Sequence, residues 1–198
     1  QLQNKLWAIS NDLRGQMGAD EFRDYILGLI FFKYLSENAE KYIDNALNGE
    51  AIYSELDEKN SESKEYIDAA VDVLKTELGY ALMPSQLFNA FAIRVKNKDF
   101  ILDDLSNTLK FIEKSTVGQE SEDDFSNLFE DLDLTSTKLG NEEKKKNKTI
   151  SLVIAHLADL NFKFSESEAV ILGDAYEYLI SQFASSAEAE DFALKIMA

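Results

Sequence analysis

The chain has 198 residues, a net charge of -17 and a pI near 4.4. It contains no cysteine, which excludes disulfides, thiolate zinc sites and a cysteine nucleophile. One proline and eight glycines disfavour a turn-rich β sandwich or barrel and favour helices.

At this length, with 45% hydrophobic residues, the chain can build the core of one ordinary domain, or of one domain with a small appendage. Gln1 opens no secretory signal. The densest apolar stretch, Ile26 to Phe32, is far shorter than a membrane span and is followed by Lys33. A cytoplasmic protein is expected. Free-standing nucleic-acid binders are usually basic, because neutralising phosphates supplies most of their affinity. In so acidic a chain, either DNA contact is delegated elsewhere or a few basic residues cluster locally.

Leu2, Leu6, Ile9 and Leu13 recur at helical spacing, so residues 2–14 read as an amphipathic helix, with Gly15 and Gly18 at its end. Asp20 is the expected N-cap of a helix over about 20–38. That segment is apolar nearly all round, from Phe22 to Leu35, and is the expected buried centre. Residues 39–60 are more polar and suit a short helix, then a loop at Asn48-Gly49. A helix over about 63–78 stops at Gly79, and Pro84 suits the first turn of another that turns Leu87, Phe88 and Phe91 inward. Phe100 to Ile112 is again helical by spacing. The acidic stretch from Gly118 to Gly140 suits a short helix around Phe125–Phe129 and a long loop from Asp131 to Gly140. Lys144, Lys145 and Lys146 open a helix running to about Leu160. Ser165-Glu166-Ser167-Glu168 is a capping box before a last helix. No segment alternates as a strand, so the reading is all-α, a multi-helix, bundle-like globular domain.

Catalytic patterns are mostly missing. His156, the only histidine, lies beside Val153, Leu157 and Leu160 on a helix and reads as structural; catalysis would need a hydroxyl nucleophile and an orienting acid in space. Asp131-x-Asp133-x-Thr135 with Glu142 imitates a calcium loop, but the sixth position is Ser136 rather than glycine, and Lys138 sits among the would-be ligands. The pairs Asp103-Asp104, Asp123-Asp124 and Glu142-Glu143 are neighbours in sequence, so on a helix they point in different directions. Gly15-Gln-Met-Gly18 follows no strand and lacks a glycine of the dinucleotide fingerprint. No catalytic, cofactor-binding or metal-binding residue is therefore assigned. Trp7 and Arg14 are seven residues apart and share a face of the first helix. They read either as a half-buried tryptophan beside a surface arginine or as a contact to DNA or to a partner subunit.

The strings LWAISNDLRG (6–15), FRDYILGLIFFKYLSE (22–37), LGYALMPSQLF (78–88), DFSNLFEDLDLTSTKLGN (124–141) and LGDAYEYLISQFASSA (172–187) occur in an order and spacing that matter more than periodicity. Together they resemble the N-terminal domain of the modification subunit, HsdM type, of type I restriction–modification systems. The resemblance covers residues 2–187 and implies a helical domain, 1–187, ahead of a Rossmann-like methyltransferase domain. Residues 188–198 then form a divergent tail or the start of a missing catalytic domain. The family implies a parent enzyme that transfers a methyl group from S-adenosylmethionine to adenine N6 in double-stranded DNA. It also implies a second modification subunit, a specificity subunit and a restriction subunit as partners. After Ala187 the chain departs from the family pattern, and neither the cofactor turn nor the Asn-Pro-Pro-aromatic motif is present. The resemblance thus implies a fragment, a truncated product or an internal deletion, inactive alone and without S-adenosylmethionine.

Within that reading, Ser136, Thr137 and Lys138, leading through Gly140 into Lys144, Lys145 and Lys146, are candidates for DNA or subunit contact. Lysines at a helix start oppose the macrodipole without obvious structural return, and hydroxyls can donate to phosphate oxygens. A solubilising helix start is the plain alternative. Two other functions fit the charge: an acidic DNA mimic that inhibits a DNA-binding protein, and a generic helical adaptor. A mimic should carry few cations, whereas Lys and Arg total 20.

Overall fold

The structure, a computed structural model, describes residues 8–9, 11–12 and 19–160, with the side chains of 19–22 excepted. Among these it is all-α. The helices are α1 (Ala19–Ala46), α2 (Ser61–Leu78), α3 (Phe88–Lys96), α4 (Leu102–Ser115), α5 (Glu122–Phe125) and α6 (Glu143–Ala158). Single 3₁₀ turns lie at Tyr53–Glu55, Pro84–Gln86 and Thr137–Leu139. Trp7, Arg14 and the capping box from Ser165 lie outside the described residues.

α1 is the hub, as its apolar circumference requires. Tyr25, Ile26, Leu29, Ile30, Phe32 and Leu35 are buried, and the Phe32 ring meets Phe88 at 5.8 Å and Phe91 at 6.0 Å between centroids. The helix runs eight residues beyond the expected end at 38, because Ala39 and Ile43 continue its buried stripe. It stops at Asn48-Gly49, both with positive φ. It also begins before Asp20, which lies inside it rather than capping it. Lys33, buried on this hub, pairs with Glu37 and stands 4.9 Å from the Phe88 ring centroid. Burial raises the Glu37 carboxyl above its ordinary range, partly offset by that lysine.

α2 is capped by Asn60, whose side chain accepts from the Glu62 N–H, so it begins two residues before the expected 63; it ends at Gly79, as its sequence predicts, with that glycine left-handed. The next stretch, Tyr80-Ala81-Leu82, is buried without regular structure, so side chains must satisfy its backbone. The Tyr53 hydroxyl donates to Leu82 O at 2.7 Å, and the Ala81 N–H donates to Ser115 Oγ at 2.8 Å. The Tyr80 hydroxyl donates to Leu35 O at 2.9 Å. Pro84 opens a 3₁₀ turn instead of a full helix, and α3 restarts at Phe88, whose N–H donates to the buried Ser36 Oγ. α5 occupies Glu122–Phe125 rather than 125–129, because Phe129 turns into the core. α3 and α6 pack closely together, with Ile150, Val153, Ile154 and Leu157 facing inward. No described helix is long and apolar enough to cross a membrane.

Candidate functional site

The loop expected between Asp131 and Gly140 is a strap laid across α1 and α6. Its apolar residues Leu132, Leu134 and Leu139 are buried, so alternation along an irregular backbone anchors one side of it. Leu132 sits against Gly28 of α1, where an added Cβ would stand 3.3 Å from it and press the leucine back by a few tenths of an ångström. The Tyr25 hydroxyl donates to Asp133 O at 2.5 Å, and the Thr149 hydroxyl donates to Leu139 O at 3.1 Å. Asp133 Oδ1 accepts from the Thr135 N–H and hydroxyl, which holds that carboxyl below the usual range. This carboxylate closes a turn of its own strap, and no described group of acids or histidine is arranged to hold a metal ion.

The strap delivers the lysines expected to face outward, with one exception. Lys144 and Lys145 are exposed at the start of α6, and Lys138 is exposed in the 3₁₀ turn. Ser136 caps that turn by accepting from the Lys138 N–H, and Thr137 is exposed. Lys146 is instead only 7% exposed, and its Nζ donates to Thr135 O at 2.6 Å and pairs with Glu143 at 3.0 Å. A rotation of about 100° per residue turns it inward, away from its neighbours. It fastens the strap to α6 and does not join the outer surface. Gly140, at φ 143°, makes the junction: an added Cβ would come within 2.7–2.9 Å of the Lys145 stem.

The fold adds cations that the sequence reading missed. The end of α3 and the turn after it carry Lys96 and Lys98, both exposed, with Lys98 in the left-handed region at φ 64°. This turn is gripped from two sides. Arg94, paired with Asp104 at 2.7 Å, donates to Phe100 O at 2.8 Å. Asn147 of α6 accepts from the Ile101 N–H at 2.9 Å and donates to Asp99 O at 3.3 Å. Asn147 lies between Lys144 and the exposed Lys148, so two lysine-bearing segments some 46 residues apart are bolted side by side. The repeated lysines of Lys96-Asn97-Lys98 are visible in sequence; their junction with α6 is not.

His156 resolves as structural. Its Nε2 lies 2.7 Å from Asp12 Oδ2 and fastens the N-terminal helical residues to α6. A cleft of about 250 Å³ opens between α4 and the strap, lined by Leu109, Phe129 and Leu134 with Lys110, Glu113 and Glu130. It offers no glycine-rich turn to cradle a nucleotide. The arrangement is that of a helical module presenting a fixed surface, with no assembled reaction centre among the described residues.

That class has a family. Residues 2–157 match the HsdM N-terminal domain family, and the chain belongs to it. The chain is 31% identical over 197 residues to the type I restriction enzyme MpnII methylase subunit of Mycoplasma pneumoniae, covering 94% of this chain and 35% of that protein. Its fold is similar to the crystal structure of the type I restriction-modification system methyltransferase subunit from Streptococcus thermophilus, with a TM-score of 0.74 and 34% identity over 92% of this chain and 38% of that one. The chain thus spans little more than a third of either relative, and what it corresponds to is the N-terminal part of a type I methylase subunit.

Proposed function

We propose that this chain is the non-catalytic helical domain of an adenine-N6 DNA methyltransferase subunit, docking on partner subunits and helping to enclose target DNA. The family match over residues 2–157 carries the reading. S-adenosylmethionine belongs to the complete enzyme, whose other members are a specificity subunit, a second modification subunit and a restriction subunit, at work in the cytoplasm. In this reading residues 1–187 are assigned to the domain, and 188–198 to a divergent tail or to the start of a catalytic domain. An adenine must leave the base stack to be methylated, so distorted DNA has to be held from several sides. Lys138, Lys144 and Lys145, with Lys98 and Lys148, are the cations assigned to one wall of that grip, interspersed with exposed Glu142 and Glu143; Ser136 and Thr137 are assigned to its rim, and Trp7 and Arg14 remain candidates for a second contact.

The test uses the complete subunit assembled with its partners. Changing Lys138, Lys144, Lys145 and Lys148 to Glu should weaken DNA binding similarly for target and unrelated sequences and make its salt dependence shallower. Unchanged affinity and salt slope, in an assembly that still forms, would place these lysines on an unused surface.

A further inference from the structure

On α2 the acids outnumber the lysines and cover most of the exposed surface. This helix buries one narrow stripe, Ile67, Ala70 and Leu74. Tyr66 remains 56% exposed and Val73 39% exposed, with Ala69 exposed between them. At about 100° per residue these three fall within an arc of about 60°. Single exposed apolar residues are ordinary. Here they form a row, and its rim is acidic: Glu62 shares the arc, with Glu65 and Asp72 along one edge and Glu77 along the other. The two lysines of the helix, Lys64 and Lys75, lie outside the arc beside exposed Asp68, and Lys75 reaches back to Asp72 on the edge at 3.9 Å.

We propose that this face docks a basic amphipathic helix of a partner protein, apolar along its centre and bearing Lys or Arg on both flanks. An apolar row with a charged rim is the pattern on which helices seat in grooves and on faces, the rim fixing register and excluding wrong partners. Charge complementarity selects the occupant. A second copy of α2 would set Glu62, Glu65 and Glu77 against themselves, and nucleic acid or an anionic lipid surface would meet the same repulsion. The proposal rests on the docking part of the proposed function and gives it a place, on a helix separate from the cationic wall.

The probe is a synthetic helical peptide of leucine and lysine with that pattern, added to the isotopically labelled chain. Amide shifts should concentrate on Glu62 to Glu77. Tyr66→Ser with Val73→Ser should weaken binding at least about tenfold. Glu65→Lys with Glu77→Lys should transfer preference to a leucine–glutamate peptide. Shifts spread over all acidic surfaces, or affinity indifferent to Tyr66 and Val73, would overturn the proposal. A parallel arm assembles the complete subunit carrying Tyr66→Ser and Val73→Ser with its partner subunits. Assembly at wild-type affinity would remove α2 from the interface while leaving docking intact; failure of the unaltered subunit to assemble would remove docking itself.

Discussion

α2 and α6 are helices of similar length, 18 and 16 residues, attached in different ways. α2 holds on by one stripe, with Ile67, Ala70 and Leu74 buried and Val71 and Leu78 partly buried beside them. α6 buries Ile150, Val153, Ile154 and Leu157 and is tied by side chains to three remote segments: the strap through Lys146 and Thr149, the 97–101 turn through Asn147, and Asp12 through His156. The difference separates two ways of presenting charge. The cations around α6 stand on a backbone fixed from several sides, which suits a surface that must meet a stiff polyanion in one register. The acids on α2 surround an apolar row that is exposed among the described residues, which suits a surface completed by another chain.

The largest effect expected from this contrast is on stability. Leu157→Ala should cost about 2–5 kcal/mol of global stability, because its site is fully enclosed. Leu74→Ala should act mainly on α2, lowering the protection of its own amides against hydrogen exchange while α6 amides keep theirs. Equal loss of protection in both helices would show that α2 is not the loosely held element. A smaller effect separates two adjacent kinds of lysine. Lys146→Met strands the Thr135 carbonyl and should cost about 1–3 kcal/mol, with faster exchange along the strap. Lys144→Met, on the exposed side, should stay within about 0.5 kcal/mol of wild type. Equal costs at the two positions would mean that Lys146 does not fasten the strap.

The sequence already carries much of this architecture. The all-round apolar pattern of 22–35 marks the hub, Gly79 marks the end of α2, and the family strings mark the domain. What it did not carry follows from physics acting at a distance. The lysine run 144–146 looks uniform in sequence, yet helix rotation and the strap's Thr135 carbonyl turn Lys146 inward. Pro84 suggests a helix start, but the buried Tyr80–Leu82 stretch and Ser36 hold the chain to a single turn before α3. The polar appearance of 39–46 conceals a buried pair, Ala39 and Ile43, that needs only every fourth position to keep α1 going. The proposed cationic wall was half legible: its α6 portion was a charge run, whereas the turn that carries Lys98 is fixed to α6 by the two hydrogen bonds of Asn147 to Asp99 O and the Ile101 N–H.

The most direct test of the division between a DNA-facing wall and a protein-facing helix is site-specific photo-crosslinking in the complete enzyme bound to DNA. A photoreactive residue at position 144 should crosslink chiefly to DNA, and the same residue at position 66 chiefly to a protein subunit. Crosslinks to protein from 144 and to DNA from 66 would contradict the account.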